Sequence, residues 1–212
     1  ALSLSVGIDF SLVHSQTMDS TLFIFDLDGT LLDSGPDLTQ AVNRVRGHLD
    51  LPPLPVCEVE CAVGGGLGDL LTRCLQERPG IDLGPLRRIF MTHYAEHLLD
   101  LSRPYEAVER VLERLPRRAL MTNKPRRFGA PIIQQLGWRF EGTIFGDDGF
   151  GRKPSGDPLK ALLKRLGQPP GQAVYVGDTS IDAQAAQDAG LDFWLVPWSK
   201  HTVCTGRRLD SF

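Results

Sequence analysis

Short apolar runs and helix-period stripes follow one another along most of the chain. Five runs of about four residues, at 22–25, 119–122, 142–145, 173–176 and 193–196, are too short for helices and suit strands buried on both faces of a parallel sheet. Between the later runs, apolar residues recur at the spacing of amphipathic helices. Strands alternating with helices of this length predict βαβ units, that is, an α/β fold with a Rossmann-like parallel sheet.

The segment from 34 to 103 breaks this alternation. It carries no strand pattern, and its apolar residues recur at helical spacing around a glycine-rich loop. The sequence therefore predicts an all-helical cap domain at 34–103, inserted into a core domain made of 18–33 and 104–212. Residues 1–17 are predicted to be a poorly ordered extension.

Polar side chains stand near the ends of several predicted strands. Asp26 and Asp28 directly follow the first strand, and strand alternation puts them on the same side. The polar residues near the later strand ends are Thr122, Asn123, Lys124, Lys153, Asp178 and Asp182. The carboxyl ends of parallel strands share one edge, and neighbouring carboxylates repel unless a cation joins them. The set indicates an acid/base pair or a metal site, and a divalent cation together with a phosphate would fit it.

Composition and charge narrow the choice of partners. The chain has 212 residues and a net charge of -3, so no basic excess points to nucleic acid or to an anionic membrane. No run of 18 apolar residues exists to span a membrane, and 1–17 lack the basic start of a signal peptide. Four cysteines are too few for a secreted disulfide scaffold. We therefore expect a cytoplasmic protein, as a monomer or homodimer.

The motifs resemble those of the haloacid dehalogenase superfamily, and within it the phosphatases with a helical cap after the first strand. The matching residues are Asp26-Leu27-Asp28-Gly29-Thr30, Thr122, Lys153, and Asp178 with Asp182. Further matches, to the phosphoglycolate phosphatase subgroup, are Thr122-Asn123-Lys124-Pro125, Lys153-Pro154 with Asp157-Pro158, and the Gly64 to Gly68 loop. The resemblance covers nearly all of 21–198. Tyr105 to Val108 reads Tyr-Glu-Ala-Val, where that subgroup usually has Tyr-Pro-Gly-Val.

The resemblance implies a catalytic and metal-binding role for the four acids. Asp26 would attack phosphorus and form an aspartyl-phosphate. Asp28 would protonate the leaving oxygen and then deprotonate the hydrolytic water. Mg²⁺ would be held by Asp26, the main-chain carbonyl of Asp28, and Asp178. Asp182 would orient Lys153 or a metal-bound water without itself binding the metal or the substrate.

The resemblance also implies the substrate-binding groups. Thr122 and Lys153 would bind the phosphoryl oxygens, where charge develops in the transition state. Asn123 would either donate a further hydrogen bond or serve only as a turn residue. The backbone of Gly65 and Gly66 in the cap loop would contact the rest of the substrate, together with arginine. The implied partner is a small phosphorylated metabolite.

The implied activity is Mg²⁺-dependent hydrolysis of a phosphomonoester, with 2-phosphoglycolate as the leading substrate. Pyrophosphate, a sugar phosphate, or a non-catalytic relative that only binds a phospho-ligand are the alternatives. A receiver-domain binding module also combines acids, threonine and lysine, but it lacks a cap and carries its phosphorylated aspartate after a later strand. The absence of lysine from 34–103 argues against phosphonoacetaldehyde hydrolases, and Asp28 argues against dehalogenases.

Other suggestive residues are expected to be structural. His93 and His97 fit an H-x-x-E-H zinc pattern, but they continue an apolar stripe and are expected to pack against neighbouring cap helices. Cys57 and Cys61 share a helix face and are expected to be buried as small hydrophobes. Lys124 is expected to be a solvated surface charge.

Overall fold

The apolar runs form the strands of a sheet in the computed structural model, which describes residues 20–200 and 206–209. The strands are β1 (Leu22–Phe25), β2 (Leu32–Asp33), β3 (Arg103–Pro104), β4 (Arg118–Met121), β5 (Thr143–Ile144), β6 (Ala173–Gly177), β7 (Asp192–Leu195) and β8 (Arg207–Arg208). Six of them form a sheet in the order β5-β4-β1-β6-β7-β8, in which all neighbours are parallel. The predicted α/β fold is confirmed. The predicted extension at 1–17 lies outside the described residues.

The central strand, β1, aligns the ends of its neighbours. All four of its residues are buried, as expected for a strand between two layers of helices. Phe25 pairs with Leu120 of β4 on one side and with Val176 of β6 on the other. The residues that follow these three strands are therefore brought to one edge of the sheet.

Eight α-helices accompany the strands in the described part of the chain. They are α1 (Gly35–Gly47), α2 (Val56–Glu60), α3 (Leu67–Cys74), α4 (Leu83–Glu96), α5 (Val108–Arg114), α6 (Arg126–Gln135), α7 (Asp157–Leu166) and α8 (Ser180–Ala189). The first four, which we call the cap helices, lie between β2 and β3. None of the helices in this part of the chain is long and apolar enough to cross a membrane.

The two connections between the sheet and the cap helices are paired with each other. β2 and β3 form an antiparallel ribbon in which Asp33 faces Arg103. Buried Asp37, in the first turn of α1, accepts hydrogen bonds from the backbone N–H of Leu101 and from the N–H and hydroxyl of Ser102. These bonds hold the beginning and the end of the cap segment together.

The structure corrects one of the expectations for the cap. Cys57 and Cys61 are exposed rather than buried, because α2 has only five residues and buries only Val59. The rings of His93 and His97 contact each other with centroids 4.4 Å apart, and His97 Nδ1 lies 2.7 Å from Asp100.

Candidate active site

The strand ends bring six of the eight sequence-predicted polar residues to one cavity, whereas Asp178 and Asp182 are not among the described residues that line it. Asp26 follows β1, Thr122 follows β4, and Asp178 follows β6. A cavity of about 50 Å³ lies over this edge, between the sheet and the cap helices. Its polar lining residues are Asp26, Asp28, Thr122, Asn123, Lys124, Tyr94 and Lys153. Its apolar lining residues include Leu38, Leu67, Leu70, Phe90 and Phe128.

Lys153 joins two buried carboxylates. Its Nζ lies 2.8 Å from Oδ1 of Asp26 and 2.6 Å from Oδ1 of Asp182. The two acids are 4 % and 0 % exposed, and the lysine is 4 % exposed, so this cluster is almost free of solvent screening. Burial opposes its charge, but Asp182 and Asp26 hold the pKa of Lys153 above its ordinary value. Lys153 is thus a fixed cation beside Asp26.

Asp182 is held in place from several sides. It lies in the first turn of α8, where its Oδ2 accepts hydrogen bonds from the N–H and the hydroxyl of Thr179, at 2.9 and 2.6 Å. The Thr179 hydroxyl lies 3.3 Å from the Asp182 N–H, which completes a capping box. The Tyr175 hydroxyl lies 3.2 Å from its Oδ1. Although burial raises it, the pKa of Asp182 is held below its ordinary value by Lys153 and these hydrogen bonds.

Asp178 stands beside the turn that follows β1. Its Oδ1 accepts a 3.0 Å hydrogen bond from the hydroxyl of Thr30. Burial, followed by the negative charges of Asp182 and Asp26, raises the pKa of Asp178 well above its ordinary value. In the absence of a further cation, this carboxylate is therefore costly to keep ionised.

The acids near Asp26 fit a divalent cation. Oxygen atoms of Asp26, Asp178 and Asp182 lie within 4.8 Å of one another. Oδ1 of Asp26 is buried and makes an ion pair with Lys153, but it accepts no hydrogen bond among the described residues. Burial raises the pKa of Asp26 to about 6. A bound cation would satisfy this oxygen and offset both the burial and the mutual repulsion that raise the pKa values of Asp26 and Asp178.

Asp28 is paired with a lysine that sequence reasoning placed on the surface. Nζ of Lys124 donates to both carboxylate oxygens of Asp28, at 2.8 and 3.1 Å, and to the Tyr94 hydroxyl at 2.7 Å. Lys124 is only 6 % exposed, so the expectation of a solvated charge was wrong. Buried lysines need a partner, and here Asp28 of the core and Tyr94 of α4 provide it.

Asn123 uses its amide group to join backbone segments. Its Nδ2 donates to the carbonyls of Gly64 and Lys153, at 2.9 and 3.0 Å, and its Oδ1 accepts from the Lys153 N–H at 2.9 Å. These bonds account for both amide hydrogens and the oxygen, so in this structure Asn123 positions Lys153 and the cap loop.

The glycine-rich cap loop reaches the cavity in part. Gly64 and Gly66 line it, whereas Gly65, where a Cβ atom would meet the side chain of Asp69 in α3, is not among the described residues that line it. No arginine of the described chain lines this cavity either. The loop therefore exposes its backbone to the cavity at residues 64 and 66. The positive charge nearest to the cap helices in this cavity is that of Lys124, which contacts Tyr94.

Gly29 occupies a position that only glycine fits. Its φ is +79°, and a Cβ atom there would overlap the carboxylate of Asp178. We expect Gly29→Ala to lose ~1–2 kcal/mol from the left-handed backbone alone. The displacement of Asp178 should cost further stability and lower kcat/KM by ~10²-fold, as misplacement in an active site does.

Gly149 provides the matched control for this substitution. Its φ is +85°, but a Cβ atom there would meet nothing within 4 Å. Urea denaturation and steady-state kinetics of both alanine variants separate backbone strain from the contact with Asp178. Equal losses of stability and activity in Gly29→Ala and Gly149→Ala would contradict this account of Gly29.

The chain is similar in sequence to known phosphatases. The chain is 41% identical over 179 residues to a phosphoglycolate phosphatase of Chromobacterium violaceum. This alignment covers 78% of this chain and 80% of that protein. It is 34% identical over 176 residues to an N-acetylmuramic acid 6-phosphate phosphatase of Pseudomonas aeruginosa. This alignment covers 79% of this chain and 77% of that protein.

Solved structures share the fold. A crystal structure described as a predicted phosphoglycolate phosphatase from Haemophilus somnus has a TM-score of 0.78 at 29% identity and covers 86% of this chain and 88% of its own. The model of a family described as haloacid dehalogenase-like hydrolase matches residues 23–196. The chain therefore belongs to the haloacid dehalogenase-like hydrolase family.

Proposed function

We propose that this protein hydrolyses a small phosphomonoester, using Mg²⁺ and an aspartyl-phosphate intermediate. The observation that carries the proposal is the carboxylate of Asp26, which follows the central strand and lines one cavity together with Thr122 and Lys153. A carboxylate placed beside a hydroxyl and a lysine that can bind phosphoryl oxygens is in position to attack the phosphorus atom. The phosphatase names of the two curated relatives support the same activity.

Each step then has a residue to perform it. Asp26 attacks phosphorus, and the bond to the leaving oxygen breaks as Asp28 gives that oxygen a proton. Water, losing its proton to Asp28, then attacks the aspartyl-phosphate and releases phosphate from Asp26. Lys153 and Thr122 stabilise the charge on the phosphoryl oxygens. Asp26, Asp178 and the main-chain carbonyl of Asp28 would hold the magnesium ion, which when bound neutralises phosphate charge.

We propose 2-phosphoglycolate as the substrate, because relatives that align over most of this chain are named phosphoglycolate phosphatase. The cavity of about 50 Å³ has room for only roughly four non-hydrogen atoms, fewer than the nine of 2-phosphoglycolate. The cap segment, proposed as a domain at 34–103, has to move for any substrate to enter, and further for a larger one. A sugar phosphate is the second candidate, because one relative is named for N-acetylmuramic acid 6-phosphate.

Phosphate release from a panel of phosphomonoesters tests this function. The panel contains 2-phosphoglycolate, glucose 6-phosphate, N-acetylmuramic acid 6-phosphate and pyrophosphate, each assayed with Mg²⁺ and with EDTA. We expect Mg²⁺-dependent release with the highest kcat/KM on 2-phosphoglycolate. Release that persists in EDTA would contradict the metal requirement, and no release from any compound would overturn the proposed activity.

A further inference from the structure

The cavity contains a second lysine that the proposed phosphoryl chemistry does not use. Lys153 and Lys124 are the two lysines that line it among the described residues. Lys153 pairs with Asp26 and Asp182 and is the lysine proposed to bind the phosphoryl oxygens. Lys124 instead stands beside Asp28, the residue proposed to contact the leaving oxygen, and under Tyr94 of the cap helices.

Lys124 and Tyr94 together have one donor to spare. The three N–H donors of the Lys124 ammonium are all engaged, two by the carboxylate oxygens of Asp28 and one by the Tyr94 hydroxyl, so the spare donor is the hydroxyl proton of Tyr94. The Tyr94 oxygen accepts from Lys124, so its own proton remains to be donated, and no described residue accepts it. Burial raises the pKa of Tyr94 to about 12, which keeps that proton in place.

The surroundings make this pair of residues selective. Tyr94 is 1 % exposed and Lys124 is 6 % exposed, and the nearby lining of Leu38, Phe90 and Phe128 is apolar. In such a setting a charge-assisted hydrogen bond is stronger than in water. A ligand that accepts the Tyr94 proton lies next to the Lys124 charge, which favours an anion over a neutral group.

We propose that Lys124 and Tyr94 bind the leaving group of the substrate and select one that carries a carboxylate. This inference rests on the proposed function. Lys124 Nζ lies 2.8 Å from a carboxylate oxygen of Asp28. A leaving group whose ester oxygen contacts Asp28 can therefore bring its own carboxylate to Lys124 only if few atoms separate that ester oxygen from the carboxylate. A two-carbon leaving group with a terminal carboxylate has this spacing. Lys124 and Tyr94 are thus specificity-determining residues, one from the core and one from the cap helices.

The selectivity between two matched substrates tests the inference. We compare kcat/KM for 2-phosphoglycolate with kcat/KM for 2-hydroxyethyl phosphate, in which a neutral CH₂OH group replaces the carboxylate. Lys124→Met should lower the ratio of the two values by roughly 10- to 100-fold, the effect of a hydrogen bond to a charged group. Tyr94→Phe, which keeps the ring, should lower it by roughly 3- to 10-fold. Lys160→Met is the control, since Lys160 is a half-exposed lysine of α7, and its ratio should equal that of the wild type.

A binding measurement separates this inference from the proposed function. In an Asp26→Asn background, calorimetry with 2-phosphoglycolate should show weaker binding when Lys124→Met or Tyr94→Phe is added. Unchanged selectivity in an active enzyme would overturn the role of Lys124 and leave the phosphatase activity standing. Hydrolysis of no substrate would overturn the activity, and the calorimetry would still decide on Lys124. Should Lys124→Met fail to fold, Tyr94→Phe, which removes one oxygen atom, provides the same test.

Discussion

Asp26→Asn is expected to reduce phosphate release by ~10⁴-fold or more, because it removes the proposed nucleophile while leaving the side-chain volume almost unchanged. The fold should persist, since the amide takes the place of a carboxylate that burial already makes costly to ionise. Steady-state release at saturating Mg²⁺ and substrate measures the loss. Asp192→Asn, the same chemical change at an exposed position in β7, is the control and should retain full activity.

Trapping the intermediate makes the same prediction specific to one atom. Borohydride reduces an acyl phosphate to the alcohol, so wild-type enzyme quenched during turnover should yield homoserine in place of Asp26 in the peptide mass spectrum. The Asp26→Asn enzyme should yield none. A variant that retains a tenth or more of the wild-type rate, or homoserine at another aspartate, would show that Asp26 is not the nucleophile.

Lys153→Met is expected to lower the free energy of unfolding by ~3–5 kcal/mol at neutral pH and to abolish activity as well. The substitution leaves Asp26 and Asp182, both almost completely buried, without their shared cation. Removing one partner of a buried ion pair costs this much because the remaining charge stays desolvated. Urea denaturation of the metal-free protein measures the loss.

The pH dependence of this loss has a definite sign. In the wild type the pKa of Asp182 is held below its ordinary value, so its contribution to stability is present above that ordinary value and is lost as the pH falls through the native pKa. In Lys153→Met the acid is without its cation and protonates more easily. The difference in stability between wild type and variant should therefore be largest at neutral pH and shrink in acid.

A second substitution serves as the control for the lysine. Lys153→Met combined with Asp182→Asn should recover part of the lost stability but none of the activity. Lys160→Met, at a half-exposed site, should change neither property by more than ~0.5 kcal/mol or a factor of two. A double variant no more stable than Lys153→Met alone would refute the electrostatic explanation.

Much of the fold could be predicted from the sequence because its signals are local. The run at 22–25 is β1 to the residue, and β4 and β7 differ from their predicted positions by one residue at each end. β2, β3 and β8 were missed, since a two-residue strand is too short for a clear pattern and Arg207–Arg208 carries no apolar signal. The convergence of Asp26, Thr122 and Asp178 followed from the rule that parallel strands share a carboxyl edge.

The parts that could not be predicted depend on distant partners. Lys124 is buried because Asp28, 96 residues earlier, and Tyr94, 30 residues earlier, pair with it. Judged by residue type alone, a lysine is predicted to lie on the surface. The exposure of Cys57 and Cys61 depends on how a five-residue helix lies on its neighbours, which periodicity does not specify. The amide bonds of Asn123 likewise join segments far apart in the chain.

Residues 122–124 place three consecutive side chains in three different environments. Thr122 lines the cavity together with Asp26, Asn123 joins Lys153 to the cap loop, and Lys124 reaches Asp28 and Tyr94. A substitution here alters one of these contacts, but inserting or deleting a single residue moves every later side chain to its neighbour's position. Spacing in this segment is therefore under tighter constraint than the identity of any one residue, and variants of altered length should be inactive even where all three side-chain types are kept.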